Sequence, residues 1–123
     1  MKGGEIVRYK YKFYRDPLDS LRIKLPEQID MFSDFIELIA TEDRADEFIQ
    51  IIDEVKEGKH DEYEIFYNAP SVLIRPKITS VTLSEVLDNP PPDQYIETDQ
   101  FRELILIWKE KIPIRSIDND TKH

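Results

Sequence analysis

The run TEDRADEFIQIIDEVKEGKHDEYEIFY, Thr41 to Tyr67, decides the fold, because its apolar period changes once along its length. Ala45, Phe48, Ile49, Ile52 and Val55 recur at three- and four-residue steps, while Asp43, Asp46, Glu47, Gln50, Glu54 and Glu57 fall on the opposite side of the cylinder. Thr41 stands where a helix cap belongs, acids crowd the first turn, and Gly58 is a natural residue just past the end. After Gly58-Lys59-His60 the period drops to two, with Tyr63, Ile65 and Tyr67 alternating with Glu62 and Glu64. A helix therefore feeds a strand, and the chain mixes both element types.

Upstream, Ile6 to Tyr14 alternates, with Val7, Tyr9, Tyr11 and Phe13 on one face and Arg8, Lys10 and Lys12 on the other. Asp16-Pro17-Leu18-Asp19-Ser20 is turn chemistry, and Leu21, Ile23 and Leu25 alternate again until Pro26. That predicts an N-terminal hairpin. From Pro26 a helix follows, its Ile29, Phe32, Ile36 and Ile39 inward and Asp30, Asp34 and Glu37 elsewhere on its surface.

Downstream, Asn68-Ala69-Pro70-Ser71 turns the chain, and two β-branched runs, Val72 to Arg75 and Ile78 to Leu83, flank Pro76-Lys77. A three-stranded meander is expected there. Asn89-Pro90-Pro91-Pro92-Asp93 forms a stiff extended connector. Thr98 caps a last helix bearing Phe101, Leu104, Ile105, Trp108 and Ile112, which Pro113 ends. The expected architecture is α+β, a mostly antiparallel sheet packed against two central helices and a C-terminal helix. Residues 1–113 form one domain and 114–123 a mobile tail with little to bury.

The charge is uneven. The 123 residues carry 17 Lys and Arg against 26 Asp and Glu, a net −9; residues 1–25 hold +4, residues 26–71 hold −11 and the remainder −2. Such a field repels nucleic acid and anionic membrane and draws in cationic macromolecules. Without cysteine there is no disulfide and no thiolate metal site. No run approaches the roughly 20 apolar residues of a membrane span, and Met1-Lys2-Gly3-Gly4-Glu5 lacks a signal peptide's apolar stretch. The expectation is a soluble cytoplasmic protein that calls for no cofactor.

Catalytic constellations are thin. His60 and His123 are the imidazoles; the first reads as a solvated loop histidine and the second ends the tail. There is no H-E-x-x-H, no G-x-S-x-G and no glycine-rich phosphate loop among three glycines. Two of the 26 acids meeting in a cleft would allow glycosidase-type chemistry, and a small carboxylate enzyme stays a third alternative, but nothing singles out which two. The acids at 42, 43, 46, 47, 53 and 54 sit on a helix without the glycine-turned loop that calcium sites use. Closely spaced acids repel one another at three- and four-residue steps, and a cationic partner would relieve them. Tyr9, Tyr11 and Phe13 interleaved with Arg8, Lys10 and Lys12 suggest base stacking, but alternation puts rings and charges on opposite faces and favours core packing. Trp108 reads as an anchor into the sheet.

Asp61-Glu62-Tyr63-Glu64-Ile65-Phe66-Tyr67-Asn68, then the β-branched hairpin, then Tyr95-Ile96-Glu97-Thr98-Asp99-Gln100-Phe101 running into Leu104-Ile105 and Trp108, make a layout over about residues 60–112. It resembles the small acidic immunity proteins encoded beside bacterial polymorphic or contact-dependent growth-inhibition toxins. In several of those families a strand hairpin precedes an I-x-T-x-x-F lead-in to a final helix with an inward tryptophan. The resemblance implies a single-domain cytoplasmic protein that binds the C-terminal toxic domain of its cognate effector, commonly a nuclease, and blocks it without being an enzyme. Tyr95, Thr98, Phe101 and Trp108 would then be structural.

Charge alone places the partner-facing set: Asp34, Glu37, Asp43, Asp46, Glu47, Glu54, Asp61 and Glu62. The alternative is an acidic regulatory adaptor that binds a basic cellular protein or mimics nucleic acid.

Overall fold

The computed structural model describes residues 7–66, 70–83 and 88–115, the last three of these by backbone alone. Strands β1 (Lys12–Arg15) and β2 (Leu21–Lys24) form an antiparallel hairpin. A 3-10 turn, Glu27–Ile29, leads to helix α1 (Met31–Glu37), and α2 (Glu42–Lys56) follows. Strands β3 (Tyr63–Phe66), β4 (Ser71–Ile74), β5 (Ile78–Thr82) and β6 (Gln94–Glu97) pair in that order as a second antiparallel sheet, and α3 spans Thr98–Arg115. The fold is α+β, with its antiparallel strands divided between two sheets.

Helix α2 ends where its sequence says it should. Thr41 Oγ1 accepts from Arg44 N at 3.1 Å. At the other end Gly58, with φ +89°, lets Lys59 N reach Glu54 O at 2.9 Å and Gly58 N reach Val55 O at 3.1 Å. That paired closure needs a left-handed residue, which glycine adopts without a Cβ clash. Helix α1 is capped differently. Asp30 makes no side-chain cap bond, and the Oε1 of Gln94, from β6, accepts from Met31 N at 2.8 Å.

The core lies between the sheet and the helices. Direct cross-strand neighbours share a face, so Ile65, Val72 and Val81 form one inward row and Ile74, Thr79 and Ile96 another. Phe35 joins three helices, with ring centroids 5.4 Å from Phe48 and 5.9 Å from Phe101. Trp108 is fully buried, and its anchors lie in the hairpin and beyond α1: it stacks on Phe13 of β1 at 6.2 Å and donates from Nε1 to Ile39 O at 2.9 Å. Each such large side chain, removed from water, contributes about 1.5–3 kcal/mol.

Several expectations are corrected. The first strand is short: residues 7–11 carry no ladder, and Tyr11 is 41% exposed although Val7, Tyr9 and Phe13 do pack on the core. Ile6 lies outside the described residues. The helix expected from Pro26 is broken into a 3-10 turn and α1, and Ile39 is buried beyond its end. The meander gains a fourth strand, β6, and Ser71 belongs to β4 and not to the preceding turn. Thr98 does not cap α3 with its hydroxyl, which turns toward the sheet, to Arg75 O at 2.6 Å and Thr79 Oγ1 at 2.8 Å. Helix α3 passes Pro113 and runs to Arg115: proline's fixed φ is itself helical, so the chain forgoes the one bond from position 113 and continues for two residues. Residues 114 and 115 thus belong to α3 and not to a tail; 116–123 lie outside the described residues, as do Tyr67, Asn68 and Ala69 of the expected strand end and turn. Among the described residues no helix is long and apolar enough to cross a membrane.

Candidate protein-binding surface

Helix α2 is the structural support of the acidic middle. Its stretch from Glu42 to Glu57 holds seven carboxylates against Arg44 and Lys56, and Ala45, Phe48, Ile52 and Val55 bury the opposite stripe. Because the apolar stripe is fixed inward, most of the acids are fixed outward.

Against α3 the flank of α2 is stitched by charge. Asp46 meets Lys109 Nζ at 2.6 Å, Asp53 takes Arg102 Nε at 2.7 Å and Nη2 at 3.1 Å, and Lys56 pairs with Asp99. Numbers rise on α2 as they fall on α3, so the helices run antiparallel with one pair at each successive level. The Asp46 contact, aided by Glu42 and Asp43, holds the Lys109 ammonium above the usual lysine range. The Asp53 fork likewise raises Arg102. The forked Arg102 contact fixes geometry as well as charge.

The eight acids expected to face a partner fall into three groups. Asp34, Asp43 and Asp61 are exposed and make no ion pair among the described residues. Asp46, Glu47 and Glu62 are exposed but paired, with Lys109, Arg44 at 3.3 Å and Arg75 at 3.3 Å respectively. Glu37 and Glu54 are half-buried. Glu54 accepts from Gln50 Nε2 at 3.1 Å and lies 3.2 Å from His60 Nε2, contacts that lower its pKa in that order of importance.

Glu37 sits least like a docking residue. Its side chain is 12% exposed and faces β2, accepting from Arg22 Nε at 2.8 Å and Ile23 N at 2.9 Å. Burial pushes its carboxyl above the usual range, against the pull of those two donors. It ties α1 to the hairpin.

The structure brings Glu42, Asp43 and Asp46 together around Lys109, with Glu47 one step along the same helix. Asp61 and Glu62 precede β3, Glu62 alone joined to Arg75, and Asp34 belongs to α1. The countercharges Arg22, Arg75, Arg102 and Lys109 escape sequence reasoning, since each lies 13 or more positions from its acid. His60 is not a bare solvated ring: besides Glu54 it has Tyr63 edge-on at 5.5 Å. Among the described residues no three His, Cys, Asp or Glu side chains are grouped to hold a metal ion. Comparison with protein-family models, with curated proteins and with solved structures found no match to this chain.

Proposed function

We propose that this protein is an immunity protein, which in the bacterial cytoplasm binds a basic toxin domain and neutralises it by stoichiometric occupation and not by catalysis. The observation that carries the reading is the outward face of α2, where Glu42, Asp43, Asp46 and Glu47 are all exposed on a helix held at both ends and braced against α3. Carboxylates held on a rigid helix need little reordering when a cationic surface arrives, which limits the entropic cost of association. A nuclease presents Lys and Arg to grip phosphates, so its groove is the natural complement. The acids supply encounter rate and selectivity, and a few buried anchors supply affinity.

The test is co-expression with the terminal domain of the effector encoded next to this gene, followed by stopped-flow association of the two purified proteins. Growth should depend on this protein, and association should slow steeply between 50 and about 300 mM salt as the Debye length shrinks. Asp43→Lys with Glu47→Lys should slow association about tenfold or more. An association rate indifferent to salt and to both reversals would overturn the electrostatic reading. Growth independent of this protein would point to the adaptor alternative, which uses the same surface on a different basic protein.

A further inference from the structure

The N-terminal segment and the end of the hairpin enclose a groove of about 720 Å³ that the acidic face does not touch. Its apolar side is made by Val7, Tyr9, Leu25 and Pro26, and its cations are Arg8, Lys10, Lys12 and Lys24. Arg8 pairs with Glu97 at 3.1 Å, and the Tyr9 hydroxyl donates to the same carboxylate at 2.7 Å, which fixes one end of the segment. Among the described residues Lys10, Lys12 and Lys24 have no ion pair, in a chain with 26 acids. Lys12 and Lys24 are moreover direct cross-strand partners in the hairpin. Like charges opposite each other destabilise a ladder, and an anion between them turns that repulsion into attraction.

Tyr11 also lines the groove, between Lys10 and Lys12 in sequence. It is 41% exposed, with its ring set edge-on to Phe13 at 5.9 Å. An aromatic ring held among lysines serves a ligand carrying both phosphates and flat bases; an acidic peptide has no use for it. The geometry points to a single-stranded nucleic acid as the occupant, its phosphates on Lys10, Lys12 and Lys24 and one base on Tyr11. The net −9 opposes approach from afar, but screening over about 8 Å at physiological salt leaves the local lysines in control at contact. The site is independent of the α2 surface, so either can fail without the other.

The experiment is fluorescence anisotropy of a fluorescein-labelled ten-nucleotide oligouridylate against the full chain at about 0.15 M salt, where the net charge is screened. Saturable binding is expected, weakening with added salt. Lys24→Glu is the informative variant, because it replaces the like-charge pair by an opposite one. It should raise the melting temperature while weakening binding at least tenfold, so lost binding cannot be ascribed to lost folding. Tyr11→Ala should weaken oligonucleotide binding about tenfold and leave the inhibition constant of inorganic polyphosphate unchanged. The proposal is overturned by absent binding, by a Lys24→Glu variant that binds as the parent does, by an unaltered Tyr11→Ala variant, or by an oligoglutamate peptide that binds as tightly as the oligonucleotide.

Discussion

Replacing Thr98 by valine tests the junction between sheet and C-terminal helix. The Thr98 hydroxyl has one proton and two neighbours, Arg75 O at 2.6 Å and Thr79 Oγ1 at 2.8 Å. A carbonyl can only accept, so the Thr98 proton goes to Arg75 and the Thr79 proton must go to Thr98. Both threonines have no exposed surface. Thr98→Val therefore removes two bonds, about 1 kcal/mol each, and leaves the Thr79 hydroxyl buried without an acceptor, with a penalty in the range of about 1–3 kcal/mol that overlaps the second bond. The expected loss is about 2–4 kcal/mol. Thr79→Val removes one bond, leaves Thr98 donating to Arg75, and should cost only about 1 kcal/mol. In the double variant the orphaned hydroxyl is gone, so it should be more stable than Thr98→Val alone by about 1 kcal/mol, a coupling that contact residues show. Urea unfolding followed by circular dichroism and by Trp108 fluorescence measures all three. Equal costs for the two single variants, or simple additivity in the double, would refute the proton assignment and the burial argument with it.

Further tests follow from single contacts. Gly58→Ala should lose about 1 kcal/mol in the same unfolding assay, and Gly58→Asn less: nothing lies within 4 Å of an added Cβ, so the cost is the left-handed backbone alone. Asp16 Oδ1 accepts from Ser20 N and Leu18 N, each at 2.9 Å, and the Ser20 bond leads in holding its carboxyl below the ordinary 3.8. A depressed folded pKa means that this contribution is intact above about pH 4 and fades as pH falls through the lower, folded value. The Leu18 and Ser20 amide resonances should accordingly titrate below pH 3.8, and a midpoint above it would contradict the turn geometry. Arg102→Lys keeps the charge but loses the fork on Asp53, and should cost about 0.5–1.5 kcal/mol by chemical denaturation, with no loss contradicting the bracing of α2.

The α2 segment was legible because every local signal agrees there. Periodicity, the Thr41 cap, first-turn acids and Gly58 all name the same boundaries, and each acts within four residues. Where signals were short or conflicting the reading failed. Strand β6 is four residues long, follows three prolines, and is recognisable only from its pairing with β5. The alternation of residues 7–13 predicted which side chains turn inward better than it predicted a strand, since Val7, Tyr9 and Phe13 pack on the core without a ladder at 7–11.

By itself, then, the chain's sequence determined its element types, its apolar stripes and the lopsided distribution of charge, because these depend on neighbours a few positions apart. Tertiary structure decided which carboxylates remain free. Glu37 and Asp46 read alike as surface acids, yet one is enclosed by Arg22 and Ile23 and the other is met by Lys109 from the last helix. It also set Lys12 opposite Lys24 and supplied the α1 cap from Gln94, 63 positions away. Partners so distant in sequence are chosen by how whole elements pack, and no local pattern encodes that choice.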